Sequence, residues 1–161
     1  GVNLADYLER LSGQLLRAQQ RGATAAHLVT DLSPVNLGID QAIPCGLIVN
    51  ELLTNSLKHA FPGGAKGEVR IALRNLGERQ VEIEVSDNGV GLPGDFEARR
   101  HASLGMQLVG DLARQLLGEL SIGGGVGAGQ GARFAVRFPV EDTASRFRGE
   151  AADSAAGPGP A

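Results

Sequence analysis

Asn50-Glu51-Leu52-Leu53-Thr54-Asn55-Ser56-Leu57-Lys58-His59-Ala60-Phe61-Pro62 reads as a helix with two very different faces. Glu51, Asn55 and Lys58 fall at i, i+4 and i+7, so they share one side. Leu47, Ile48, Leu52, Leu53 and Leu57 supply an apolar side that anchors the helix to a core. One side therefore offers a carboxylate, a carboxamide and an ammonium in a row, a set suited to a metal ion and phosphate oxygens. A solvated face with an i,i+4 pair is the plain alternative, and the sequence downstream has to separate the two.

The chain has 161 residues, enough for one domain with a real core. A formal charge of −3 argues against nucleic acid or an anionic membrane as main partner, so an anionic ligand must be held by local donors. No apolar run reaches membrane-span length and no signal peptide opens the chain. A cytoplasmic domain without direct membrane contact is expected, whatever tethers a longer parent protein. The single cysteine, Cys45, falls in a predicted helix and reads as core packing. From about 141 to 161 the chain is Ala, Gly, Pro, Ser and charge, which predicts a disordered tail after a domain spanning 1–140.

Asn3 is a candidate cap for a first helix running to about Gln20. Residues 24–32 and 35–37 read as strands, and Asp40 as the N-cap of the helix above, with Pro44 tolerated near its first turn. Alternation predicts strands over 68–74 and 80–86 with a hairpin turn at 75–78. Ser103 starts a helix whose stripe is Leu108, Val109, Leu112, Ala113 and Leu116, with Gly118 as its stop. Strands at 119–122 and 132–138 flank a Gly-rich connection. Helices on one face of a mixed, mostly antiparallel sheet are the economical packing, an α+β two-layer sandwich.

Asp87-Asn88-Gly89-Val90-Gly91 leaves the end of a strand. Asp-Asn-Gly also makes ordinary hairpin turns, but here no alternating strand follows. A carboxylate accepts hydrogen bonds and cannot donate, so Asp87 would match the amine of adenine and repel the carbonyl of guanine. Glycines at 89 and 91 would let a flat base lie against the backbone. Residues 94–102 carry Asp95, Glu97, Arg99, Arg100 and His101, a composition suited to a mobile lid or to a solvated connector. From there Arg99 or Arg100 can reach a phosphate. At Ser103-Leu104-Gly105-Met106 the free N–H groups of a helix start form an anion site, with a plain capped helix as the alternative. Gly123-x-Gly125-x-x-Ala128 imitates a dinucleotide fingerprint, but a strand follows it where that motif needs a helix.

Taken in order, the Glu-x-x-x-Asn-x-x-Lys helix, the Asp-x-Gly-x-Gly loop, the lid, the Ser-Leu-Gly helix start and the Gly-x-Gly strand entry resemble the GHKL ATPases. That superfamily, with its Bergerat fold, joins DNA gyrase, the Hsp90 chaperone, histidine kinases and MutL. Asn-Glu-Leu-Leu-Thr-Asn-Ser-Leu-Lys-His-Ala-Phe-Pro is most similar to sensor histidine kinases of the sister subfamily to the HWE kinases. The resemblance implies ATP and Mg²⁺ as cofactors. It implies Asn55 as the metal ligand, with Glu51 binding metal through water or polarising the attacking group. It further implies Lys58 as a phosphate neutraliser, His59 beside the adenine, and Asp87 as the adenine acceptor backed by Gly89 and Gly91. Ser103, Leu104, Gly105 and Met106 would sit under the triphosphate, and Gly129 and Gly131 would bring a strand close to the purine.

Two departures stand out. Ala132 replaces the family's usual Thr, removing one hydroxyl near the base. No dimerisation helix pair with a phosphoacceptor His is present, so the chain reads as an excised catalytic domain. It would phosphorylate a His on a segment it lacks, and a response regulator would be its downstream partner. Two other functions stay open. One is a degenerate nucleotide- or partner-binding module, and the other is an anti-sigma-type serine kinase.

Overall fold

The computed structural model describes residues 1–19, 26–64, 66–124 and 131–141. Gly129 and the tail expected from 142 onward lie outside the described residues. The alternating runs form the centre of the fold, β4 (Gly67–Gly77) and β5 (Gln80–Asp87), paired antiparallel. Before them come β1 (Val2–Asn3), α1 (Leu4–Gln19), β2 (Ala26–Leu32), β3 (Asn36–Leu37) and α2 (Ile39–His59). After them come α3 (Phe96–Ala102), α4 (Leu104–Gln115), β6 (Glu119–Gly124) and β7 (Ala132–Pro139). β1 and β3 pair as a short ribbon, and the main sheet has the order β2-β4-β5-β7-β6. Its β2–β4 pair is parallel and its other pairs are antiparallel.

Register explains the core. Ile71 faces Val85, which faces Phe134; Leu73, Ile83 and Val136 form the next row. These rows share one face, and Leu4 and Leu8 of α1, Ile48, Leu52 and Leu53 of α2, Val109 of α4 and its C-cap Leu116 bury against them in one cluster. Each such side chain contributes roughly 1.5–3 kcal/mol on burial. The result is the expected α+β two-layer arrangement. Cys45 lies in this core, where burial pushes its thiol up to about 12, so no thiolate is available for redox chemistry at neutral pH.

Local details depart from expectation for identifiable reasons. The N-cap of α2 is Gly38, and Asp40 sits in the first turn, where a carboxylate still favours the positive helix end. Pro44 is consequently the sixth helical residue, so one ladder hydrogen bond is missing there. Gln41 ties this region to β7, donating to the Pro139 carbonyl at 2.8 Å and accepting from the Glu141 N–H at 3.0 Å. The β4–β5 turn falls at Glu78-Arg79, both with positive φ, because Asn75 to Gly77 form a bulge. Asn75 Oδ1 accepts the Gly77 N–H at 3.0 Å, an Asx closure that lets the strand continue. At the end of α4 the left-handed residue is Leu117, φ 57°. Gly118 N–H donates to the Ala113 carbonyl and Leu117 N–H to that of Arg114, both at 2.9 Å, a Schellman closure. Leu108, expected in the buried stripe, is exposed.

The opposite face of the sheet carries a charge network. Glu84 accepts from Arg74 at 2.5 Å and from Arg133 at 3.1 Å, and Glu82 is shared among Arg74, Arg133 and Arg137. Burial pushes the Glu84 carboxyl up, but hydrogen bonds from Arg74 and Arg133 outweigh it and hold it below its ordinary 4.5. A depressed folded-state value means stabilisation that is present above the unfolded-state value and is lost as pH falls through the folded-state value. Glu84→Gln should cost about 1–3 kcal/mol at neutral pH. The gap to wild type should shrink below pH 4.5 in urea denaturation series; a gap independent of pH would show that Glu84 acts by packing alone.

Candidate functional site

β5 ends at Asp87, and α2 runs past it with Ser56 turned toward the sheet. Asp87 is 4% exposed and fully engaged on one oxygen: Oδ1 accepts the Gly89 N–H at 3.0 Å and the Ala132 N–H at 3.3 Å. Oδ2 accepts the Ser56 hydroxyl at 3.2 Å. Two backbone donors and a hydroxyl make this a carboxylate site of fixed orientation.

Above Asp87 opens a cleft of about 570 Å³, within the usual range for small-molecule sites. Its wall brings together Asn55, His59, Asp87 and Gly91 with Arg99, Arg100, Ser103 and Met106. Asn55 is half-buried and its amide nitrogen lies 3.8 Å from the Met106 sulfur, so its carbonyl oxygen is the atom suited to a hard cation. Ser103 caps α4 as expected, its hydroxyl oxygen accepting the Met106 N–H at 3.4 Å.

Other expected residues stand beside the cleft. Glu51 lies against the first turn of α4; a Cβ at Gly105 would stand 2.5 Å from its Oε2. Lys58 is exposed and Leu104 is 83% exposed, both off the cleft wall. Gly89 is required by the protein itself, since a Cβ there would overlap the Ala60 carbonyl. Gly131 is packed directly behind Asp87 in the same way, and Gly91 adopts φ 84° at the cleft wall.

The segment expected as a loop over 94–102 forms the seven-residue helix α3. Its charges are spaced to pair along a helix: Arg99 with Asp95 at 2.8 Å and Arg100 with Glu97 at 3.5 Å. The hydrogen bond from Arg99 holds the Asp95 carboxyl below its usual range. Phe96 anchors α3 to β7, meeting Phe134 edge-on at 6.0 Å and 65°. Sequence reasoning gave no role to Ser56, Phe96 or Phe134. Ser56 had a signal, a hydroxyl among the buried leucines of α2; Phe134 had none, because it alternates like any core residue.

Residues 40–142 match the family model described as histidine kinase-, DNA gyrase B- and HSP90-like ATPase. The chain belongs to this ATPase family. Blue-light-activated histidine kinase 2 of Erythrobacter litoralis is 32% identical over 121 residues, 75% of this chain and 34% of that protein. Serine-protein kinase RsbW of Listeria innocua is 37% identical over 70 residues, 44% of this chain and 42% of that protein. The histidine kinase domain of the E. litoralis EL346 blue-light-activated kinase superposes with a TM-score of 0.77 at 29% identity, covering 86% of this chain and 62% of that one. The chain thus spans about a third of the first relative's length. The α+β sandwich is the GHKL fold of such catalytic domains, and the relatives are kinases. Among the described residues no helix is long and apolar enough to cross a membrane.

Proposed function

We propose that this GHKL domain binds Mg²⁺–ATP over Asp87 and transfers the γ-phosphoryl group to a histidine on a dimerisation segment outside this chain. The observation that carries the reading is the buried Asp87 carboxylate at the cleft floor, with one oxygen satisfied by backbone and the other turned to the cleft wall. A carboxylate so placed accepts from an exocyclic amine and repels a carbonyl, which selects adenine over guanine. ATP supplies the phosphoryl group, and a Mg²⁺ ion neutralises charge on its phosphates.

The chain's own residues position these groups. Asn55, through its carbonyl oxygen, and Glu51 would hold the Mg²⁺ ion, or Glu51 would orient the attacking group. Lys58 neutralises phosphate charge from solvent, and His59 flanks the base. Arg99 and Arg100 exchange their intrahelical carboxylates for phosphate, a small loss because exposed ion pairs contribute little. At the α4 start, where Ser103 N–H donates to the Arg99 carbonyl and Met106 N–H to the Ser103 hydroxyl, Leu104 and Gly105 would supply the backbone N–H donors once Glu51 yields its place there. Gly131 lets the start of β7 pass close behind Asp87, beside the purine site. A response regulator would take the phosphoryl group next, in two-component signalling on the cytoplasmic side.

The RsbW likeness gives a second reading, phosphorylation of a serine on a partner protein. γ-labelled ATP offered with a His-bearing helical-hairpin fragment, and separately with a Ser-bearing anti-sigma antagonist protein, decides. Acid-labile label on the helical fragment is the expected result, since phosphohistidine hydrolyses in acid. Acid-stable label on the serine partner would replace the proposal with the second reading, and ATP binding without transfer to either would leave a nucleotide-binding module.

A further inference from the structure

Ser56 occupies a position where hydrocarbon belongs. Its neighbours Leu52, Leu53 and Leu57 are buried against the sheet, and Ser56 itself is 5% exposed. Burying a hydroxyl costs free energy unless it is hydrogen-bonded, and this one lies in the cleft wall and donates to Asp87 Oδ2 at 3.2 Å. Because backbone N–H groups hold Oδ1, the oxygen left for a ligand is the one Ser56 holds. Oxygen-to-oxygen hydrogen bonds usually measure about 2.7–2.8 Å, so this contact is long, and a hydroxyl rotates freely to a better acceptor.

We infer that Ser56 is a second base-reading group, its hydroxyl proton turning from Asp87 to the adenine ring nitrogen beside the exocyclic amine while Asp87 Oδ2 accepts from that amine. The inference rests on the ATP reading above and deepens it. Adenine presents a donor and an acceptor side by side on this edge, and guanine presents them reversed. Asp87 alone senses the first group. Asp87 and Ser56 together engage both groups of adenine, and their 3.2 Å contact places them close enough to reach adjacent groups of one ring. The pairing also bears on Ala132, which brings its N–H to Asp87 but has no hydroxyl to offer the base. Ser56 supplies from α2 a hydroxyl that β7 lacks at that position.

The test is calorimetric affinity of wild type and Ser56→Ala for Mg²⁺–ATP and for Mg²⁺–1-deaza-ATP, in which CH replaces that ring nitrogen. Wild type should bind the deaza nucleotide roughly three- to tenfold more weakly. Ser56→Ala should bind the two about equally, while Ser56→Thr, which keeps the hydroxyl, restores the difference. Equal affinity of wild type for both nucleotides overturns the proposal. So does a wild-type ratio retained by Ser56→Ala, since that makes Ser56 only a positioning residue for Asp87. If Ser56→Ala does not fold, Ser56→Cys, of similar shape and a weak donor, takes its place. Failure of wild type to bind either nucleotide would remove the ATP reading itself, an outcome distinct from equal binding.

Discussion

Asp87→Asn should weaken Mg²⁺–ATP binding by roughly 10- to 150-fold and narrow the gap to GTP, without unfolding the protein. The asymmetry of the carboxylate leads to this result. Oδ1 serves the structure, accepting from Gly89 and Ala132, and an asparagine carbonyl oxygen can keep both bonds. Oδ2 serves the cleft, and there the substitution turns an acceptor into an NH₂ donor. Ser56 adapts, because a hydroxyl that donated to oxygen can accept from nitrogen. The adenine amine cannot adapt, and two donors face one another. A guanine carbonyl gains the partner it lacked, so GTP should lose nothing or improve. Calorimetry with both nucleotides, paired with a thermal melt, checks each half. Unchanged ATP affinity in a folded variant would remove Asp87 from base recognition.

That asymmetry marks how far the sequence could be read. The strands at 69–73 and 81–85 were legible because alternation is imposed by the pleat, and the helix at 47–58 because its two faces differ in chemistry. Asp87 was legible as a carboxylate leaving a strand. Which of its oxygens does what was not, since that depends on β7 approaching from 45 residues away. Residues 94–102 were read from composition, and composition cannot separate a solvated loop from a helix whose charges pair within one turn. The turn at Glu78-Arg79 was misplaced because Asn75 and Gly77 are ordinary turn residues that here build a bulge. Leu108 was assigned to the core by spacing alone, yet spacing says nothing of where a neighbouring helix stops covering. Gly91 and Gly131 were both assigned to the ligand, and in the structure they differ in kind.

Gly131→Ala should destabilise the fold by about 3 kcal/mol or more and weaken ATP binding as well, whereas Gly91→Ala should cost about 1–2 kcal/mol. Both glycines have strongly positive φ, 89° and 84°, so the conformational penalty for an L side chain is shared. Their surroundings separate them. A Cβ at residue 91 meets the Gly131 carbonyl oxygen at 3.4 Å, ordinary contact that needs little adjustment. A Cβ at residue 131 would overlap the Asp87 carbonyl oxygen and stand 2.9 Å from its carbon and 3.1 Å from the Asn88 Cα. None of these is a flexible side-chain end, so the backbone that carries Asp87 must move, and with it the Ala132 N–H that fixes Oδ1. At roughly 2–4 °C per kcal/mol for a domain of this size, the melting temperature should fall by about 6–12 °C for Gly131→Ala. The loss of affinity should persist well below that temperature, where the variant is folded, because the displaced group is the proposed base acceptor. A variant that melts early yet binds ATP as wild type does would separate the two effects and show that Asp87 tolerates a shifted backbone.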